Sequence, residues 1–423
     1  MKGPSGAGRA VLAIISWTAL GHLIALGVTP FLTRLYEPAE YGTFAFLVAV
    51  AAVLGTIPAL RYEFAVPLPP EDDDARALVY GGFVLTAVFL LVAIPIAGFV
   101  AANGWIGGHV GAGDLLPFVP VLAAVYALFR LLNQWAIRQR QYSRSGRRNF
   151  LQSGATAVAQ LGSGIGGAST PGLWWGTVAG QSLGVLSLMH KSGLGGPPRP
   201  ADVLRNLRRY LRFSLVLAPS GLINALGIYV PVIMLTTLFS VSDAGTFGLA
   251  QQLLAVPLAL VGQAIAQVYL GELSRRTRAN ASDLLPLFRS VSRRLTLIAT
   301  LLLLVLLTLT PTAFSLVLGD EWRTSGYMAQ ALGISVSAQF VASPLSQTLI
   351  VTEQSVVQLA WDVARLVVTV TAFLVGHELE WSALECVWAY STVSAGMYAV
   401  SWLLSRRSLL HLRRGEPGVE SSQ

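Results

Sequence analysis

The sequence predicts an all-α membrane protein of about twelve transmembrane helices, in two pseudo-symmetric six-helix lobes around a central cavity. Three observations predict it: a succession of long apolar segments, positive charge gathered on one side of them, and a faint repeat at the same point of each half. Of the 423 residues, 54% are hydrophobic and 12% charged, about half the charged share of a soluble chain.

A helix needs about 20 apolar residues to cross a hydrocarbon core of about 30 Å. Such segments fall at roughly 10–31, 41–60, 77–101, 115–137, 149–168, 171–190, 211–238, 245–270, 292–318, 326–351, 355–376 and 383–405. The first, Ala10–Leu32, lacks a small-residue cleavage site and reads as a retained span. If the segments cross in turn, the loops Arg138–Arg148, Lys191–Arg212 and Arg275–Arg294 and the tail Arg406–Arg414 share a face with the N-terminus. About 25 of the 29 Lys and Arg residues then lie on that face, with Arg34 and Arg323 in loops opposite. The positive-inside rule makes it cytoplasmic, with both termini inside a cytoplasmic membrane. The loops on the outer face are too short to hold a domain.

The net charge of +8 does not indicate nucleic acid. It is spread over loops without a basic domain or aromatic platforms, and it orients helices and meets anionic headgroups. The single cysteine, Cys386, excludes an intrachain disulfide.

A Gly/Pro/Arg-rich linker, Lys191–Arg209, divides the chain into residues 1–200 and 201–423. Leu35–Phe44 aligns without gaps on Leu238–Phe247, matching Gly42, Thr43 and Phe44 to Gly245, Thr246 and Phe247. Asn133–Ile137 aligns more loosely on Ser346–Ile350. Each half has an even number of spans, so the repeat is parallel, and two such bundles make a cleft where transporters bind substrate.

Charge within the spans marks the chemistry, because an ionised group at a helix centre costs about 2.5–3.5 kcal/mol. Arg365 lies mid-span with Asp362 one turn before it. Arg130 lies two turns inside the fourth span, with Asn133 and Gln134 beyond it. Arg61 and Glu63 end the second span, and Arg34 ends the first. One reading is a wet, cationic cavity suited to phosphate oxygens. The other is structural: Asp362–Arg365 as a pair, Arg130 snorkelling, Arg61 and Arg34 at the interface. Asn224, Gln251, Gln252, Gln263 and Gln267 either line a sugar-accepting cleft or bind helices together. His22 is either proton-sensitive or a packing residue. Pro219, Pro231 and Pro257 lie mid-helix and bend their spans.

Other motifs are set aside. Gly162–Gly167 matches G-x-G-x-x-G inside a span, where the fingerprint has no meaning. Gly172, Gly176, Gly180 and Gly184 make a smooth packing stripe. Glu71–Asp74 could hold Mg²⁺ against a diphosphate, but no second acidic motif accompanies it, and a solvated helix start is the better reading. No Walker loop, nucleophilic triad, CxxC or metal-spaced histidine pair occurs.

Several stretches resemble the Wzx-type oligosaccharide flippases of the multidrug/oligosaccharidyl-lipid/polysaccharide exporter superfamily. They are Thr33–Gly42, Leu60–Val66 with Leu68-Pro69, Phe213–Asn224, Val230–Val232, Ala244-Gly245, Leu249–Gln252, Pro257–Gln263, Gln267–Tyr269, Leu318–Trp322 and Ser343–Ser346. The resemblance implies two six-helix lobes about a V-shaped cavity, and a lipid-diphosphate-linked oligosaccharide moved outward by alternating access. It also implies a cationic lining, matched here to Arg130 and Arg365, with Arg61 and Glu63 as motif members.

The expected function is therefore that of a flippase for an undecaprenyl-diphosphate-linked oligosaccharide in cell-surface polysaccharide biosynthesis, without catalytic activity or bound cofactor. An H+ or Na+ gradient would drive it, with Asp362, Glu63 and His22 as ion-coupling candidates. Arg130, Arg365, Arg61, Asn133, Gln134, Asn224, Gln252 and Gln263 are the candidate substrate contacts. Expected partners are the lipid-linked oligosaccharide, membrane lipids, a polysaccharide polymerase and glycosyltransferases. The alternatives are a multidrug or cation antiporter of the same superfamily, a membrane-embedded glycan or isoprenoid transferase relying on Glu71–Asp74, and a membrane scaffold.

Overall fold

A computed structural model of the chain describes residues 6–105, 111–190, 192–278, 284–352 and 354–414. Lys191, residues 106–110 and 279–283, which the sequence reading put in loops, lie outside the described residues. Among those described there are α-helices and short 3-10 turns but no strand. The first eight helices are α1 Gly6–Leu32, α2 Pro38–Leu54, α3 Asp72–Ala102, α4 Val119–Arg138, α5 Tyr142–Ile165, α6 Thr170–Met189, α7 Pro200–Arg209 and α8 Leu211–Leu238. Six more follow: α9 Val241–Arg278, α10 Leu284–Leu318, α11 Arg323–Leu345, α12 Gln347–Val351, α13 Ser355–Glu378 and α14 Ala383–Arg414.

Setting aside α7 and α12, of ten and five residues, the remaining helices follow the expected segments one for one. Seven stretches among the described residues are long and apolar enough to cross a membrane by themselves: Asp72–Ala102, Leu116–Arg138, Leu211–Leu238, Val241–Arg278, Leu284–Leu318, Asp320–Val351 and Val356–Glu378. Helix α5 is not one of them, since Arg147, Arg148, Asn149, Gln152 and Gln160 dilute it. Its buried Gln160 is met from within: the amide donates to the Leu173 carbonyl and to Thr177 Oγ1, each at 3.1 Å, so the cost of burying it falls away.

The chain packs as two compact units, Met1–Gly245 and Thr246–Gln423. Helix α8, which the sequence division at 200/201 places in the second half, packs with the first unit. In that unit α2 begins with a reciprocal cap, where Glu37 N–H donates to the Glu40 carboxylate at 3.0 Å and Pro38 occupies the first turn. Helix α2 stops at Leu54, six residues short of the expected end, because Pro58 cannot continue the hydrogen-bond ladder. The chain then turns through Leu60 and Arg61, both with left-handed backbone (φ 44° and 60°). That conformation costs a residue with a Cβ about 1–2 kcal/mol, so surrounding contacts must hold it.

Helices α5 and α6 meet along the glycine stripe. A Cβ on Gly176 or Gly180 would run into Gln160 or Thr156 of α5. The linker expected as a loop instead contains α7, started by Pro200. It is strapped to α3: Tyr62 Oη donates to the Leu207 carbonyl at 2.7 Å, Tyr80 Oη to the Gly195 carbonyl at 2.9 Å, and Asn206 Nδ2 to Asp74 at 2.9 Å.

The second unit is built on α10, α11, α13, α14 and most of α9. Tyr269, Phe288, Leu295, Phe340, Leu345 and Leu409 form a buried core. Its polar members are paired within it, Tyr269 Oη with Thr348 Oγ1 at 2.8 Å and Trp402 Nε1 with Ser292 Oγ at 2.9 Å. The expected tenth span, 326–351, breaks at Ser346 into α11 and α12, just after Pro344.

Candidate functional site

The break after α2 builds the principal cluster of the first unit. The left-handed turn at Leu60-Arg61 sends Arg61 inward, and a one-turn 3-10 helix, Tyr62–Phe64, then buries Glu63 to 2% exposure. Glu63 Oε1 lies 3.5 Å from Arg61 Nη1 and 3.3 Å from Arg130 Nε on α4. Arg130 Nη2 also donates to the Gly55 carbonyl, one of those left free where α2 ends. Arg61 lies against Gly221 of α8, where a Cβ would collide with its guanidinium. Two guanidiniums therefore share one carboxylate. A net positive charge held partly away from solvent persists where it meets an anion or water.

The Arg61 side chain is 13% exposed and lies in the same cluster as Arg130. Arg34 is exposed just past the end of α1. Asn133 and Gln134 follow Arg130 on α4 and are half-buried. His22 is half-buried on α1, with no place in the cluster.

Sequence reasoning missed Arg148. It was placed in a loop, but α5 begins at Tyr142 and carries Arg148 inward to 5% exposure. Its guanidinium carbon lies 3.3 Å from the centroid of the Phe129 ring, the residue before Arg130. Its Nη1 donates to Asn149 Oδ1 at 2.8 Å and its Nη2 to Gln181 Oε1 at 3.2 Å. Gly184 makes the room, since a Cβ there would come within 2.8 Å of Arg148 Nε. The glycine stripe thus does more than pack helices. A stripe glycine facing a helix with three arginines in its first two turns was the available signal.

The second unit holds Asp362 and Arg365, 7% and 9% exposed, as an intrahelical pair at 3.7 Å. Gln358 Nε2 donates to Asp362 at 3.5 Å, and Arg365 donates to Tyr398 Oη at 3.3 Å while lying 5.1 Å from the Trp361 ring. Here one guanidinium meets one carboxylate, in contrast to the first unit. Helix α9 exposes Gln252, Gln263 and Gln267, which fall on one stripe at 3.6 residues per turn. Asn224 of α8 is exposed as well, and Gln251 is half-buried.

Glu71–Asp74 starts α3 as expected, but it is not merely solvated. Asp72 pairs with Arg138 at 2.9 Å and Asp74 with Arg205 at 3.2 Å. Hydrogen bonds from Arg138 and Gln139 hold the Asp72 carboxyl below the usual carboxylate range, and those from Asn206 and Arg205 do the same for Asp74. Beside the cationic cluster, α2, α3 and α4 form an open apolar groove of about 540 Å³ lined by Leu54, Leu60, Val88, Phe89, Ile96 and Pro120. That lining suits a hydrocarbon chain.

The fold is similar to that of several solved transporters. The lipid II flippase MurJ in an inward closed conformation aligns with a TM-score of 0.74 at 11% identity, over 96% of this chain and 90% of that one. A superfamily transporter from Pyrococcus furiosus, described as having a binding pocket of reverse polarity, aligns at 0.65 with 14% identity over 96% of both chains. An inward-facing multidrug resistance MATE transporter aligns at 0.60 with 14% identity over 98% and 97%. Among curated sequences, the succinoglycan biosynthesis transport protein ExoT of Rhizobium meliloti (strain 1021) is 22% identical over 95% of this chain and 82% of its own length. The chain belongs to the polysaccharide biosynthesis protein family, whose profile matches residues 31–326. With seven stretches among the described residues long and apolar enough to cross a membrane, it is a multi-pass membrane member of that family.

Proposed function

We propose that the protein carries an undecaprenyl-diphosphate-linked oligosaccharide across the cytoplasmic membrane by alternating access, with both termini on the cytoplasmic side. The observation that supports this most is the excess of guanidinium over carboxylate around the buried Glu63. A diphosphate supplies the missing negative charge, and arginine forks fit its oxygens. The exposed amides of α9 suit sugar hydroxyls, and the apolar groove beside the cluster suits the isoprenoid chain. The transport role in the name of the succinoglycan relative agrees with such a cargo.

In this reading Arg61 and Arg130 meet the diphosphate. Arg365 is a second contact with less charge to offer, because Asp362 offsets it. No covalent step is required, and an H+ or Na+ gradient drives the cycle, with Asp362, Glu63 and His22 as the groups that sense it. A polymerase and glycosyltransferases are the partners such a cargo needs. A cationic drug, the cargo of the antiporter alternative, would meet repulsion at Arg61 and Arg130.

Deletion of the gene tests the reading. Lipid-linked repeat units should accumulate on the cytoplasmic leaflet and surface polysaccharide should disappear. Normal polysaccharide in the deletion strain, or sensitivity to cationic dyes as its only phenotype, would count against it.

A further inference from the structure

The second unit carries a charged surface that the proposed function does not use. Helix α10 bears Arg289, Arg293 and Arg294 near its start, and α14 bears Arg406 and Arg407 near its end. All are exposed except Arg406, which is half-buried. Among the described residues no carboxylate lies within ion-pair distance of them; Glu272, near the end of α9, already pairs with Arg275 and Arg276 at 2.7 and 2.6 Å. A general excess of positive charge on this face does not explain the cluster. Helix α3 is the third long helix of its half, as α10 is of the other, yet its start bears Glu71–Asp74. Asp72 and Asp74 are paired there with Arg138 and Arg205, whereas the charges of α10 stand open.

Helices α10 and α14 are joined by the hydrogen bond from Trp402 Nε1 to Ser292 Oγ at 2.9 Å and by Phe288 against the Trp402 ring at 5.6 Å. As the ninth and twelfth spans they cross in opposite directions. At about 100° per residue, Arg289 and Arg293 lie about 60° and about 100° round α10 from Ser292. In the same rotational sense, Arg406 and Arg407 lie about 40° and about 140° round α14 from Trp402. In antiparallel helices that sense turns both sets to one side of the pair. Burial agrees, since Phe288 and Leu295 in the other sense round α10, and Ser405 and Ser408 round α14, are buried.

The shared side is not purely charged. At intervals of four residues Arg289 and Arg293 lead into Leu297 and Leu301, and Arg407 into Leu403, all exposed. Both helices therefore change from arginine to aliphatic within one turn. In a multi-pass membrane protein the aliphatic part of such a face meets lipid chains, and the cations at its edge meet headgroups. The Arg406 guanidinium stands over the Trp402 ring at 5.8 Å, which limits its freedom.

We propose that α10 and α14 form a binding site for one anionic phospholipid of the adjoining leaflet. Arg289, Arg293 and Arg406 hold its phosphate, and its acyl chains run along Leu297, Leu301 and Leu403. The site lies wholly in the second unit and does not depend on what the protein carries. Guanidinium forks fit the free oxygens of a phosphodiester. A zwitterionic lipid brings its own cation to the same place and is held less. A lipid that touches both helices binds only when they are packed, so it stabilises their junction.

The test titrates the full-length protein in detergent with dioctanoyl phosphatidylglycerol or dioctanoyl phosphatidylcholine and reads affinity from the rise in melting temperature. The unaltered protein should bind phosphatidylglycerol about tenfold more tightly, and added salt should erode the difference. The triple variant Arg289→Gln/Arg293→Gln/Arg406→Gln should lose the preference. Arg199→Gln/Arg208→Gln/Arg212→Gln, which removes the same charge from the first unit, should keep it. Equal affinities of the unaltered protein for the two lipids would overturn the proposal whether or not the variants fold, and would leave these arginines to an acidic protein partner. An undiminished preference in the first variant would also overturn it. So would loss of the preference in both variants, which marks a diffuse charge effect. Competition by glycerol 3-phosphate at the same concentrations as the lipid would refute it too, since the site would then serve a free phosphate.

Discussion

Glu63 is the residue on which the charge balance of the first unit turns. Removing one partner of a buried ion pair costs about 3–5 kcal/mol, because the remaining charge has nothing to meet. Glu63→Gln should therefore lower the melting temperature of the purified protein, and added inorganic pyrophosphate should restore part of the loss. A variant as stable as the parent would show that Arg61 and Arg130 are already neutralised in another way. Gly221 is the second sensitive position. In Gly221→Val the new side chain occupies the place of the Arg61 guanidinium. Export should fall about tenfold or more, as expected when a binding group is displaced by an ångström, while membrane insertion is retained. Arg130 and Arg365 were legible in the sequence because a charge stands out in an apolar run. Arg148 and the buried state of Glu63 were not. The first depends on where α5 starts, and the second on a left-handed turn at two non-glycine residues, which no periodicity announces.

At the scale of helices, α2 and α9 meet through the two glycines that the repeat matches. A Cβ on Gly42 would strike the Val241 carbonyl, and one on Gly245 would strike the Pro38 carbonyl, each four residues before the opposite glycine. Both approaches lie within the first unit, and each requires a residue without a Cβ. Gly180 plays a similar part between α5 and α6. Gly180→Leu should destabilise the protein by about 1–3 kcal/mol through overpacking, measurable by denaturant titration in detergent. Helix α7 was read as linker because glycine, proline and arginine dominate its surroundings. Its strap to α3 should depend on pH. Asp74 has a lowered value when folded, so its contribution is present above the ordinary carboxylate value and is lost as pH falls through the lowered one. Proteolysis at the linker should accelerate below about pH 4, and Asp74→Asn should make cleavage fast and independent of pH across that range.

On the scale of the whole molecule, the helical character and the order of the long helices could be read from hydropathy alone. Near 20 apolar residues, a membrane leaves the backbone few choices. The charge-bearing cluster could not be read that way, since its members are separated by 69 residues from Arg61 to Arg130 and come together only after folding. The proposed transport role and the charge of the cluster together call for a cargo of matching charge. The most direct measurement of that link is charge reversal at Arg130 in a strain lacking the native gene, followed by assay of lipid-linked repeat units on each leaflet. Arg130→Glu should insert normally and trap the repeat units on the cytoplasmic leaflet, with surface polysaccharide lost and partly restored by Arg130→Lys. Full export by Arg130→Glu would contradict the proposal that this guanidinium cluster carries the anionic headgroup.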